Sequence, residues 1–100
     1  MRPGILLFFD DWSAFLVFND VQKEKEYLRK FAALERKAAR FDIASIEEDV
    51  IEHIEYLITN DFASDYNSMI EDNEDNQEVV LELGDDEMVT VPVLDFFMFY

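Results

Sequence analysis

The chain has 100 residues, half of them hydrophobic and fifteen aromatic, and a formal net charge of −16. That length holds one core, and the apolar share exceeds what disordered chains carry, so a single folded domain over residues 1–100 is expected. Cysteine is absent, which excludes disulfides, thiolate metal sites and a Cys nucleophile, and nothing asks for an oxidising compartment.

In chain order, Pro3 and Gly4 introduce the apolar run 5–9, whose aromatic content suits a strand buried on both faces. The run ends at Asp10 and Asp11. It is too short for a signal-peptide core or a membrane span, so a cytoplasmic protein is the expectation. Asp11 can cap a short helix carrying Trp12, Phe15 and Leu16, while residues 15–18 read equally as a second strand. Asn19 or Asp20 then caps a longer helix over residues 21–40, with Tyr27, Leu28, Phe31, Leu34 and Ala38 on its inward face. Lys25, Arg29, Arg36 and Arg40 form a basic stripe on the opposite side, and Glu26 and Lys30 stand in the favourable i,i+4 order.

Ser45 and Glu48 have capping-box spacing and open a further helix that ends near Asn60, with Ile46, Val50, Ile54, Leu57 and Ile58 as its apolar stripe. Asp61 reads as the cap of a short helix bearing Phe62, Tyr66, Met69 and Ile70, and the polar run 71–76 reads as a solvated loop. From Glu78 the period becomes two. Val79, Leu81 and Leu83 alternate with polar neighbours, residues 84–87 make a turn, and Val89, Val91 and Val93 resume the alternation. Pro92 places its strand at an edge or a bulge. The apolar end, residues 94–100, is expected to pair beside residues 5–9 or to enter another subunit. The expected fold is α+β: a small sheet of the N-terminal strand and the C-terminal hairpin, packed against three to four helices.

Catalytic readings lack parts. His53 is the one histidine, and there is no Gly-rich phosphate loop or nucleophile elbow, so an enzyme is not expected. His53 follows Asp49 by four residues, a spacing that suits a boundary histidine beside a carboxylate. An EF-hand loop begun at Asp72 would put Gln77 at the turn glycine and Leu83 at the bidentate glutamate; neither fits, and no metal or other cofactor is expected. Paired-carboxylate hydrolysis has no pair that the sequence singles out.

The distribution of charge is the functional signal. All eight Lys and Arg lie at or before Arg40, and 18 of the 24 Asp and Glu lie after it, so residues 1–40 carry +2 and residues 41–100 carry −18. Such a field costs stability through self-repulsion and steers basic partners. Glu48, Glu52 and Glu55 share one helix face within about 60°, and successive members are about 4.5–6 Å apart along the axis, of the order of the charge spacing in nucleic acid. Asp72, Glu74 and Asp75, and the turn residues Asp85, Asp86 and Glu87, add two more clusters.

This pattern points to an acidic inhibitor, a nucleic-acid mimic occupying the basic face of a nucleic-acid-binding protein such as a nuclease. In charge and size the chain resembles phage-encoded decoys that block host defence nucleases, which would place it in the host cytoplasm. The alternatives are an immunity or antitoxin protein that neutralises a basic toxin nuclease, with Tyr56, Tyr66 or Trp12 as anchors, and a structural subunit. The last would associate, as a homodimer or a larger assembly, through Phe96, Phe97, Phe99 and Tyr100. Ordinary solvation of acidic helix faces would account for part of the pattern without any partner, and direct nucleic-acid binding is disfavoured by the net charge.

Overall fold

The computed structural model describes residues 2–40, 43–66, 68–69, 78–84 and 86–99. The elements are β1 (Gly4–Phe9), β2 (Ser13–Phe18), α1 (Val21–Ala38), α2 (Ile43–Thr59), β3 (Ala63–Tyr66), β4 (Ser68–Met69), β5 (Glu78–Gly84) and β6 (Glu87–Phe99). Five strands form a mixed sheet in the order β3-β2-β1-β6-β5, and the two-residue β4 adds to the β5 edge. The class is α+β, with two helices among the described residues rather than three to four.

Both missing helices are strands, for separate reasons. In β2 the apolar run is continuous because both faces are covered: Ala14, Leu16 and Phe18 enter one core cluster while Phe15 and Val17 meet another. The β1–β2 hairpin turns at Asp10 and Asp11, closed by Phe9 N–H donating to the Trp12 carbonyl at 2.8 Å. Asp61 does not cap a following helix; it terminates α2. Its φ of 59° is left-handed. Phe62 N–H reaches the Leu57 carbonyl at 2.9 Å and Asp61 N–H the Ile58 carbonyl at 3.1 Å, the two bonds of a Schellman stop. Asp tolerates that conformation better than most residues, and the chain leaves α2 directly into β3.

Asp20 caps α1, its carboxylate accepting from Lys23 N–H at 3.0 Å. Helix α2 begins at Ile43, two residues before Ser45, so Ser45 lies within its first turn. Both helices cover one face of the sheet: Tyr27, Phe31 and Leu34 of α1 and Ile46, Val50, Ile54 and Leu57 of α2 pack with Ile5, Leu7, Phe9, Leu16, Phe18, Phe97 and Phe99.

The hairpin expected at residues 78–93 is β5 and the first half of β6, with Val79 opposite Val91 and Leu81 opposite Val89. Pro92 is not on an edge strand, because β6 lies between β1 and β5. Among the described residues Pro92 stands where the pairing of β6 passes from β5 to β1, the β5 ladder reaching Pro92 and the β1 ladder opening at Val93. One residue later the register shifts, Gly4 pairing with Val93 and Ile5 with Asp95, so Leu94 is a bulge. The extra residue reverses the facing of the rest of the strand. Val89, Val91 and Val93 therefore face the second core with Leu6, Phe15, Val79 and Leu81, while Phe97 and Phe99, of the same parity, face the helices.

The sheet also curls. Tyr66 of β3 pairs with Phe15 of β2, and Ser68 of β4 pairs with Leu81 of β5. Cα atoms two residues apart are at most about 7.6 Å from each other, so the two outer strands of the sheet nearly meet at this corner, as in an incompletely closed barrel. Inside lies the second core, where Leu6, Phe15 and Leu81 are fully buried.

Gly4 is required by that closure. A Cβ there would lie 2.6 and 2.8 Å from Cε1 and Cε2 of Phe15, and closer still to Cζ, with the Phe15 ring held at zero exposure. Replacing Gly4 by Ala is expected to destabilise the fold by about 1–3 kcal/mol, the usual range for overpacking. Urea denaturation measures it, and an unchanged midpoint would mean that the ring has room to move aside.

Candidate functional site

Helix α2 carries Glu47, Glu48, Asp49, Glu52 and Glu55 and no Lys or Arg. Its buried stripe is Ile46, Val50, Ile54 and Leu57, and at about 100° per residue Glu48, Glu52 and Glu55 point the opposite way. All three are exposed and form no ion pair among the described residues. They make a continuous anionic ridge on the outer surface of the helix layer.

Beside it runs a feature of opposite sign. Lys25, Arg29 and Arg36 point away from the buried Tyr27, Phe31 and Leu34, Arg40 follows the helix end, and all four are exposed and lack ion pairs among the described residues. The basic stripe does not fold across the acidic helix. The cations that do pair are Arg2 with Glu24 at 3.5 Å and Lys23 and Lys30 with Glu26 at 3.3 and 3.2 Å. Glu26 is held below the usual carboxylate range first by its hydrogen bond to Lys30 and then by that to Lys23.

The other acidic candidates are not gathered onto this ridge. Asp86, with φ of 66°, and Glu87 are exposed at the β5–β6 turn, on the hairpin whose core cluster includes no α2 residue. Asp72, Glu74, Asp75 and Asp85 lie outside the described residues. Among the described residues no group of three or more His, Asp or Glu has the geometry to hold a metal ion, and apart from the Tyr27 phenol every buried side chain is apolar.

The aromatic candidates divide. Tyr56 is 43% exposed on the shoulder of α2, beside Glu55 and one turn from Glu52. Tyr66 packs partly into the second core. Trp12 stacks on Phe9 at 4.1 Å and donates from Nε1 to Glu47 Oε1 at 2.8 Å, so its ring and its N–H are both engaged. In the C-terminal strand, Phe97 and Phe99 of the expected interface set are 4% and 1% exposed and pack in the core under the helices. Phe96 is 41% exposed, and Tyr100 lies outside the described residues.

Sequence reasoning passed over three further features. Asp10, Asp11 and Glu47 line an open cleft of about 520 Å³ with Ile43 and Phe99. Phe96 N–H donates to Asp95 Oδ1 at 2.8 Å, and Met98 N–H to Glu35 Oε2 at 2.7 Å. The Met98 contact joins residues 63 positions apart, so no local pattern announces it. No helix among the described residues is long and apolar enough to cross a membrane.

The chain matches no protein-family model, no curated protein and no solved structure. Charge, exposure and strand pairing therefore carry the functional reading.

His53 occupies the seam between the helices, edge-on to Tyr27 with centroids 5.4 Å apart, and lines a shallow depression with Lys30, Leu34 and Lys37. Burial is the largest influence on its imidazole and lowers its pKa, Lys30 lowers it further, and Asp49 and Glu52 pull the other way. The folded value thus lies below the ordinary value of about 6.5. The unfolded chain then takes up the proton more readily, so the stability contributed by neutral His53 is complete above about pH 6.5 and is lost as the pH falls towards the folded pKa. Proton NMR of the single histidine is expected to show a midpoint below about 6.5 that rises in Lys30→Gln. A midpoint above that value would mean that Asp49 and Glu52 outweigh burial.

Proposed function

We propose that the protein acts by binding a basic protein through its acidic surface, as an inhibitor that occupies the nucleic-acid-binding face of that partner. The observation that carries this reading is the Glu48, Glu52 and Glu55 ridge, exposed and unpaired among the described residues on a chain of net charge −16. Residues on a nucleic-acid-binding face are chiefly Lys and Arg positioned for phosphates. A ridge of carboxylates spaced by about 4.5–6 Å along a rigid helix meets the same cations, and the long-range field speeds the encounter.

The exposure of Tyr56 beside Glu52 and Glu55 favours a second version of this reading, an immunity-type protein that neutralises a toxin nuclease. In that version affinity is concentrated in an aromatic anchor set among steering charges. The two versions share a partner class and differ in where the binding energy resides.

Affinity capture from a cell lysate at low salt, with elution by a salt step and by duplex DNA, tests the reading. A captured nucleic-acid-binding protein released by both is the expected result; capture of nothing that salt or DNA releases would overturn it. Replacing Glu48, Glu52 and Glu55 together by Gln is expected to weaken the captured complex about tenfold, from roughly 0.2–1 kcal/mol per exposed ion pair, and to flatten its salt dependence. Circular dichroism should be unchanged. Replacing Tyr56 by Ala separates the versions: a loss of about 2 kcal/mol or more marks an anchor, and a small loss marks a charge mimic.

A further inference from the structure

Among the described residues the second half of β6 has one edge without a strand. The described ladder with β5 reaches Pro92, and the ladder with β1 runs from Val93 to Phe99, so no described strand pairs with the other edge of residues 94–99. The N–H groups on that edge are nonetheless occupied: Phe96 N–H by the Asp95 carboxylate and Met98 N–H by the Glu35 carboxylate, both at the surface. Each carboxylate oxygen stands where the carbonyl of a neighbouring strand would accept. Beside the edge the surface is apolar. Leu94, Phe96 and Met98 are 47%, 41% and 41% exposed, and Phe96 meets the half-buried Phe8 edge-to-face with centroids 6.5 Å apart.

We propose that this edge receives an extended basic segment of the partner as an added strand, a proposal that rests on the reading of the protein as a ligand for basic proteins. Strand addition supplies affinity through main-chain hydrogen bonds and selectivity through alternate side chains. An incoming strand places its carbonyls on Phe96 N–H and Met98 N–H and displaces Glu35 and Asp95 to its flanks. Two released carboxylates beside a net charge of −16 repel a segment that brings no cation, whereas Lys or Arg at alternate positions pairs with them as the ladder forms. The apolar residues between those cations lie over Phe96, Met98 and Phe8. A second copy of this chain is the poorer occupant, because edge-to-edge pairing would bring two further carboxylates, its own Glu35 and Asp95, to the same seam. The carboxylates thus protect an open edge against general aggregation, as charges on edge strands commonly do, while leaving it accessible to one class of segment.

The test uses the full chain labelled with ¹⁵N and a capped octapeptide of alternating Val and Lys. The peptide is expected to bind and to slow amide hydrogen exchange at Phe96 and Met98 by at least about tenfold, as a strand hydrogen bond does. A Val–Glu octapeptide, and a Val–Lys octapeptide N-methylated at every residue so that neither edge can pair, should each fail to give that protection. Glu35→Gln together with Asp95→Asn should weaken Val–Lys binding about tenfold, the loss of two exposed ion pairs; Glu35→Gln alone gives the smaller loss if the pair proves unstable. Equal binding by the N-methylated peptide, or spectral changes confined to Glu48, Glu52 and Glu55, would overturn strand addition and leave the acidic-ligand reading standing. No binding of the Val–Lys peptide, while the lysate experiment still captures a DNA-displaced basic protein, would overturn this proposal alone.

Discussion

The bulge at Leu94 is the constraint on which the rest of the architecture depends. Strand β6 is thirteen residues long and belongs to two ladders, antiparallel to β5 before Pro92 and parallel to β1 after Val93. A regular strand of that length would send Val89, Val91, Val93, Phe97 and Phe99 to one face. One inserted residue divides them, so that the valines fill the core inside the curled sheet and the phenylalanines fill the core beneath the helices. From Val93 onward the described partner of β6 is β1, and no described strand covers the other edge of residues 94–99.

The two cores that result have different supporting devices. Beneath the helices the packing is conventional, with one apolar stripe from α1 and one from α2 laid over the sheet. Among the described residues the second core is made by the sheet alone, and its closure depends on a backbone without a side chain at Gly4, where the Phe15 ring takes the space. Apart from Tyr27, whose ring packs in the core under the helices, the titratable side chains among the described residues stay outside the buried interior. The chemistry open to such a surface is that of charge and edge hydrogen bonds.

The helix layer bears adjacent stripes of opposite sign that do not neutralise each other. The acidic ridge of α2 and the arginine stripe of α1 both point outward, while the helices meet through Tyr27, His53 and Tyr56. On the proposed reading this polarity orients the complex, because a basic partner surface drawn to the ridge is repelled one helix away. The carboxylates on the β6 edge would extend the same selection by charge from the helix surface to the sheet.

Local signals in the sequence determined the two long helices, a cap at Asn19 or Asp20, the hairpin at residues 78–93 and the exposure of Glu48, Glu52 and Glu55. Each rests on a periodicity or a spacing of a few residues, which the backbone turns directly into a face. That the apolar C-terminal segment needs cover was legible, but pairing with residues 5–9 was one of two readings, and the tertiary structure shows it. Only the tertiary structure decided the identities of residues 13–18 and 63–66. A continuous apolar run does not distinguish a short helix from a strand covered on both faces, and an Asp after a helix can end that helix as readily as begin the next. The burial of Phe97 and Phe99 with Phe96 left outside depends on the bulge at Leu94; Pro92 signalled an edge or a bulge nearby, but not its position or its effect on facing. The occupation of the β6 edge by Glu35 depends on a contact between residues far apart in the chain, and with 24 Asp and Glu to choose from, only folding selects the one that reaches Met98.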